Sequence, residues 1–304
     1  MTRRVPEWMV GLAFVSPWII GFLAFMALPI GMSLYYSMTQ YTMLEPPIWV
    51  GLDNYAAMAG DRVFWTVMRN TTVYALVAIP VGTFIAVVLA ALLSAKVRFQ
   101  AFFRAAVFVP TIVPLVATAM VWMWLFNGEL GLINIVLDAC FRPINALLGT
   151  DLAGPNWLGS AQWVMPALIL MSFWTVGQAV VIYIAALKDV PEVLYEAAEI
   201  DGIGVVGKFV HVTLPMISPV ILFNVIIGII NTWQIFAVPY IMLGTTGAAK
   251  RSGYFYTMYL YDKAFPFGEM GYASALAWVQ LMIILALTGL TFVVSKKFVY
   301  YRAA

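Results

Sequence analysis

Glu196-Ala197-Ala198-Glu199-Ile200-Asp201-Gly202, followed by Phe209, Leu214-Pro215 and Pro219, is one of the few polar interruptions in a chain that otherwise reads as membrane. Its helix signals are dense. Asp189 can cap, Pro191 sits where a first-turn proline is favoured, and Glu192 suits the positive N-terminal end of a helix. Leu194, Ala197 and Ala198 place a small, apolar stripe on one face, flanked by Glu196 and Glu199. Gly202 supplies the permissive backbone for a helix stop. A second short helix fits Val205 to Val212, with Pro215 ending it. Small residues let another protein approach closely, and carboxylates at the edge can pair with its basic or amide groups. A solvated connector would also explain the charges, but a connector could be far shorter and has no need of two helices. A polar helix-turn-helix between membrane spans calls for a soluble partner.

The surrounding composition sets the solvent. The 304 residues are 63% hydrophobic and 10% charged, with mean hydropathy +0.94. A soluble domain carries about a quarter charged residues, so lipid must bathe much of this chain. Eleven Trp and 15 Tyr suit interfacial belts. A net charge of +2 gives no argument for nucleic acid. Cys140 is the only cysteine and His211 the only histidine, so no intrachain disulfide, metal cluster or Cys–His nucleophile is expected. Arg3 and Arg4 precede a charge-free run from Trp8 to Leu44. That run is too long for a signal peptide, so an uncleaved first span is expected.

Six charge-free stretches are long enough to cross a bilayer, at about 10–38, 71–95, 105–126, 163–187, 219–243 and 273–295. The expected fold is an all-α integral membrane protein of six transmembrane helices, one domain over residues 1–304. Prolines inside the spans (Pro17, Pro29, Pro80, Pro110, Pro114, Pro166 and Pro239) suggest breaks around a path, because neighbours or water must satisfy the freed carbonyls. The Lys/Arg bias puts Arg3, Arg4, Lys96, Arg98, Arg104, Lys188, Lys208, Lys296, Lys297 and Arg302 on one side. By the positive-inside rule both termini and the loop 188–218 are then cytoplasmic. Segments 39–70, 127–162 and 244–272 lie outside, long enough for lateral helices. Tryptophans 8, 65, 122, 124, 157 and 163 read as interface anchors.

The pattern Glu196-Ala197-Ala198, Asp201-Gly202, Phe209, Leu214-Pro215, Pro219 resembles the "EAA" loop of the membrane-spanning subunits of bacterial ABC importers. Ile203 stands where that family usually has Ala. Trp49-Val50-Gly51-Leu52-Asp53-Asn54-Tyr55 resembles the outer segment of the sugar-permease branch, as do Gly131-Leu132-Ile133-Asn134 and Met270-Gly271-Tyr272-Ala273-Ser274-Ala275-Leu276. The ending Phe298-Val299-Tyr300-Tyr301 is more like the first of the two permease subunits. The resemblance implies a permease in the bacterial inner membrane that makes and breaks no covalent bond and needs no cofactor. It implies four kinds of partner: a second permease in a heterodimer, ATP-hydrolysing subunits, an extracytoplasmic solute-binding protein and a carbohydrate. It implies a coupling helix in which Glu196 and Gly202 engage the ATPase, supported by Ala197, Ala198 and Asp201.

Two nucleotide-binding patterns in the same loop fail on context. Gly202-Ile203-Gly204-Val205-Val206-Gly207 satisfies G-x-G-x-x-G but follows a helix, not a strand. Gly202 through Lys208 approaches a P-loop, but Phe209 occupies the magnesium-binding Ser/Thr position. The spans carry no charge, which weighs against the alternative of an ion- or proton-coupled secondary transporter, since such relays use intramembrane carboxylates. A neutral, hydroxyl-rich solute needs amides, hydroxyls and aromatic faces. Ser172, Trp174, Gln178, Asn231, Trp233 and Gln234 offer these, and are the expected lining of a solute path. Interhelical hydrogen bonding is the competing reading for each of them.

Overall fold

The computed structural model describes residues 6–95, 98–245 and 247–300. Arg3, Arg4, Lys96 and Arg302 of the expected cytoplasmic set lie outside these. The chain divides into two compact units, one of residues up to Asp61 with Leu260–Met282, the other of Arg62–Tyr259 with the stretch from Ile283.

The first unit opens with α1 (Glu7–Ser37), a 31-residue apolar helix. Strands β1 (Thr39–Gln40) and β2 (Ile48–Trp49) pair antiparallel, and α2 (Asp53–Gly60) follows. The outer motif explains this corner. Gly51 takes a left-handed φ of +63°, turning the chain back. Asn54 then donates from Nδ2 to the carbonyls of Ser37 and Thr39, both at 2.9 Å, and Tyr55 donates to the Ser37 hydroxyl at 2.8 Å. The bond to Ser37 occupies a carbonyl that the end of α1 leaves without an intrahelical partner. Gly271 sits so close to the strand that a Cβ there would run into the Thr39 carbonyl.

The second unit runs α3 (Arg62–Ser94), α4 (Gln100–Ile112), α5 (Leu115–Leu125), α6 (Leu132–Leu148), α7 (Val164–Ser172), α8 (Gly177–Lys188), α9 (Glu192–Ile200), α10 (Val205–Trp233) and α11 (Ala237–Leu243). Helices α12 (Tyr256–Ala264) and α13 (Met270–Phe298) complete the chain. Among the described residues four helices are long and apolar enough to cross a membrane, α1, α3, α10 and α13. Counting α4 with α5, and α7 with α8, as bent spans brings the number to six. The first pair turns by 101° at Val113–Pro114, the second by 47° through a 3-10 turn at Phe173–Thr175.

Helices α8 and α10 pack on α3 around Ala86, Val87, Ala90, Val180, Tyr183 and Ile217. Close approach of α8 to α4 depends on Gly177, where a Cβ would run into the backbone oxygen of Val107. Where α3 ends, Arg104 and Gln100 both donate to the Leu93 carbonyl, satisfying an orphan acceptor.

The prolines divide. Pro114 marks the 101° bend, and Pro239 lies in the first turn of α11 after a break at 234–236. Pro29 and Pro215 are carried through continuous helices. In both cases a π-turn immediately precedes the proline: Leu23–Ala27 before Pro29, and Phe209–Thr213 before Pro215. The extra residue widens the helix where the ring would otherwise press on the preceding turn. The expected stop at Pro215 is therefore corrected. The second helix of the polar loop and the fifth span are one helix, 29 residues long. Asp189 also departs from its expected role. It ends α8, and α9 starts after Pro191 with no side-chain cap.

Tryptophans 122 and 157 are buried, not anchors. They belong to an aromatic chain in which Trp174 meets Trp122 at 5.9 Å, Trp122 meets Phe126 at 4.9 Å, and Phe126 meets Trp157 at 5.4 Å.

Candidate functional site: an exposed turn and a polar cavity joined by one helix

Helix α9 ends in a Schellman turn. The Ile203 N–H reaches the Ala198 carbonyl at 2.9 Å, the Gly202 N–H reaches that of Glu199 at 3.0 Å, and Gly202 takes φ +73°. The two alanines have separate surroundings. Ala198 is 5% exposed, while Ala197 faces out beside Glu196. Asp201 and Gly202 are exposed, and nothing lies within 4 Å of a Cβ built on Gly202. Tyr195, bonded to the Thr213 hydroxyl at 2.9 Å, and Phe209 pack this loop against the α3–α8–α10 core. The turn is thus fixed from behind and open in front.

Ile203, the residue that departs from the family pattern, has a matching gap. A Cβ added to Gly207 would come within 2.5 Å of its Cγ2. Lys208 closes the turn with a 2.9 Å ion pair to Glu199. The hydrogen bond from Lys208, then its charge, hold the Glu199 carboxyl below its ordinary range. His211 bonds only locally, to the Gly207 carbonyl at 3.0 Å, and no metal-binding group of His, Cys, Asp or Glu occurs among the described residues.

The other end of α10 borders a cavity of about 700 Å³. Four of the six predicted path residues line it: Ser172, Gln178, Asn231 and Gln234. A smaller adjoining cavity of about 220 Å³ shares Tyr74, Ser172, Thr175, Asn231 and Thr232, and extends to Thr83 and Asn224. Among the described residues, no charged side chain lines either cavity. Asn224 donates to the Val220 carbonyl of its own helix, and Ser172 to that of Ile169.

Trp174 and Trp233 do not reach these cavities. Trp174 turns to Trp122, and Trp233, 2% exposed, lines a separate apolar cavity. Trp174 nonetheless neighbours the lining Thr175, and Trp233 lies between the lining Thr232 and Gln234. Sequence reading missed Tyr74 and Thr118. Tyr74 is buried beside Ser172 in the lining, and the buried Thr118 hydroxyl has no hydrogen-bond partner among the described residues. Their signal was a phenol and a hydroxyl in otherwise apolar spans, a pattern that ordinary packing also produces.

The motifs expected to lie outside make structural contacts. Asn134 donates to the Gly128 and Pro155 carbonyls at 2.9 and 3.1 Å and accepts from the Trp157 indole at 2.8 Å. Tyr272 donates to Asp61 at 3.0 Å.

Known proteins are similar to this chain in sequence and fold. The family described as binding-protein-dependent transport system inner membrane component matches residues 78–300. The probable ABC transporter permease protein YesP of Bacillus subtilis (strain 168) is 34% identical, covering 97% of this chain and 93% of that one. The lactose transport system permease protein LacF of Rhizobium radiobacter is 31% identical, covering 94% of each. In the crystal structure of a bacterial ABC transporter that imports the acidic polysaccharide alginate, one chain superimposes with a TM-score of 0.78 at 20% identity, covering 97% of both chains. That likeness carries the fold: an all-α, multi-pass membrane architecture. Sequence match and fold agree, and the chain belongs to the family of inner-membrane components of binding-protein-dependent transport systems, the permease subunits of ABC transporters.

Proposed function

We propose that this permease carries a neutral carbohydrate inward by alternating access, driven by ATP hydrolysis in separate subunits. The observation that carries the reading is one helix, α10, that begins beside the exposed turn and ends at a charge-free cavity of amides and hydroxyls. A cavity near 700 Å³ falls within the roughly 300–1,000 Å³ of small-molecule sites. Gln178, Asn231 and Gln234 present amide donors and acceptors suited to sugar hydroxyls. The solved alginate importer handles an acidic polysaccharide; the cavities here lack a cation to pair with one. Relatives named for lactose and arabinooligosaccharide transport favour the same class.

Glu196, Ala197, Ala198, Asp201 and Gly202 form the coupling site. Ala197 and Gly202 give the ATPase a close approach, Glu196 and Asp201 offer it carboxylates, and Ala198 seats the helix on the core. A second permease completes the pathway as a heterodimer, and a solute-binding protein delivers sugar from outside. A solved relative was captured with its pentasaccharide-bound periplasmic protein. Both termini and residues 188–218 face the cytoplasm. Closure of the ATPase pair against the turn biases a two-state bundle between inward-open and outward-open forms.

The test is purification of the complex from its native host, as wild type and as a Glu196→Lys, Gly202→Leu double variant. Wild type should bring down an ATPase and a second permease, and the variant should lose the ATPase alone. A wild-type chain that comes down with neither defeats the reading. Uptake in vesicles that follows an ion gradient after ATP removal would establish the secondary-transporter alternative.

A further inference from the structure

Helix α6 is built with its polarity inverted. Its two asparagines and its aspartate turn toward the chain. Asn134 is buried in the bonds given above, and Asp138 accepts the Gly154 N–H at 2.8 Å. Asn145 accepts the Leu152 N–H at 3.0 Å and donates to the Leu152 carbonyl at 2.9 Å. The opposite face carries Leu132, Ile135, Val136, Cys140, Ile144 and Leu147, all exposed. Their spacing of three and four residues makes one continuous apolar stripe, and no charge interrupts it. Water does not favour such a stripe, whereas a soluble helix would show the reverse arrangement.

We propose that α6 lies in the plane of the membrane surface, with this stripe sunk to the boundary between lipid headgroups and acyl chains. Two observations select lipid as the occupant. First, α6 follows the span α5 after residues 126–131, and α5 also leaves the apolar side chains of Met120, Val121 and Trp124 exposed. Second, Arg142 is exposed on the flank of the stripe, where a guanidinium can reach lipid phosphates while the helix body stays apolar. The consequence reaches the cavity. Helix α6 holds residues 152–157 through Asn134, Asp138 and Asn145, and the Trp157 ring meets that of Phe126 just beyond α5. Helix α5 carries Leu115 and Thr118 of the cavity wall. Lipid contact along α6 therefore steadies one wall of the solute path.

The native thiol gives the test without substitution, because Cys140 sits on the stripe. The whole transporter is labelled with bimane at Cys140 in detergent and reconstituted into vesicles of phosphatidylcholine and phosphatidylglycerol. Emission is then quenched either by aqueous iodide or by phosphatidylcholine carrying a nitroxide on the upper acyl chain. The comparison is a Cys140→Ser, Asp151→Cys protein, labelled on the exposed loop beyond α6. The expected result is several-fold stronger lipid quenching at 140 and several-fold stronger iodide quenching at 151. Iodide quenching at 140 equal to that at 151 overturns the proposal, because the face is then in water. Protection of 140 from both quenchers also overturns it, because protein then covers the stripe.

Discussion

Gly202 separates two physical demands that one residue meets. The first is backbone: φ is +73°, a region that costs a side-chain-bearing residue about 1–2 kcal/mol. That cost reduces the population of the closed turn by a factor of roughly 5–30 at room temperature. The second demand is space, and here the chain itself makes none, because no atom lies within 4 Å of a Cβ at this position. Any penalty from bulk must come from the partner. Three substitutions resolve the two. Gly202→Asn tolerates the left-handed region, Gly202→Ala adds little bulk but opposes the φ, and Gly202→Leu does both. Hydrogen exchange at the Ile203 amide, which closes the turn on Ala198, reads the first demand. Exchange should rise about tenfold for Ala and Leu and little for Asn, since 1.4 kcal/mol is a factor of ten. ATP-dependent uptake and ATPase stimulation in reconstituted vesicles read the second. Asn and Leu should both fail to couple while the bundle stays folded, with Ala retaining the most activity. Wild-type uptake in the Leu variant would refute the coupling assignment. Unchanged exchange at residue 203 in the Ala variant would refute the backbone argument.

The remaining predictions concern the cavity and the turn. Asn231→Leu should raise the KM for uptake by about tenfold through lost hydrogen bonds of about 0.5–1.5 kcal/mol each; Trp174→Phe should leave KM within about twofold, and the opposite ranking would remove Asn231 from the path. Gly207→Ala should loosen the turn because its Cβ meets Ile203 Cγ2, and Ile203→Ala should rescue it; additive effects in that double-mutant cycle would count against the packing. Glu199 has its folded pKa depressed by Lys208, so its contribution to the turn is full above the unfolded carboxylate value and is lost only as pH falls through the lowered folded one. A carbon-13 titration of Glu199 should give a midpoint below that of a free glutamate, returning toward it in Lys208→Met, and a midpoint at or above the free value would contradict the ion pair.

Helix existence and type were legible because apolar runs of this length leave no alternative in lipid. The turn at Gly202 was legible because its geometry is local. Pro215 was misread for the same reason that it is tolerated: a π-turn adds one residue upstream, and nothing in Phe209-Val210-His211-Val212-Thr213 announces it. The lining of the cavity was legible for Ser172, Gln178, Asn231 and Gln234. Asn231 and Gln234 share a face by spacing, whereas Trp233, set between the lining Thr232 and Gln234, is turned to the apolar side by its packing. Tyr74 and Thr118 required the third dimension, since α3 and α5 meet α7 and α10 at the cavity only after two spans have bent.

Helix α10 has a mechanical consequence. At 1.5 Å per residue its 29 residues make a strut of ~43 Å. A tilt of ~10° about one end would displace the other by ~7 Å, more than one helical pitch. No relay of side chains between turn and cavity is then required. On the proposed mechanism, the stroke available at Asn231 is set by the length of the strut and by how much the π-turn at Phe209–Thr213 yields, so stiffness at five residues near the base would govern the throw of the whole arm.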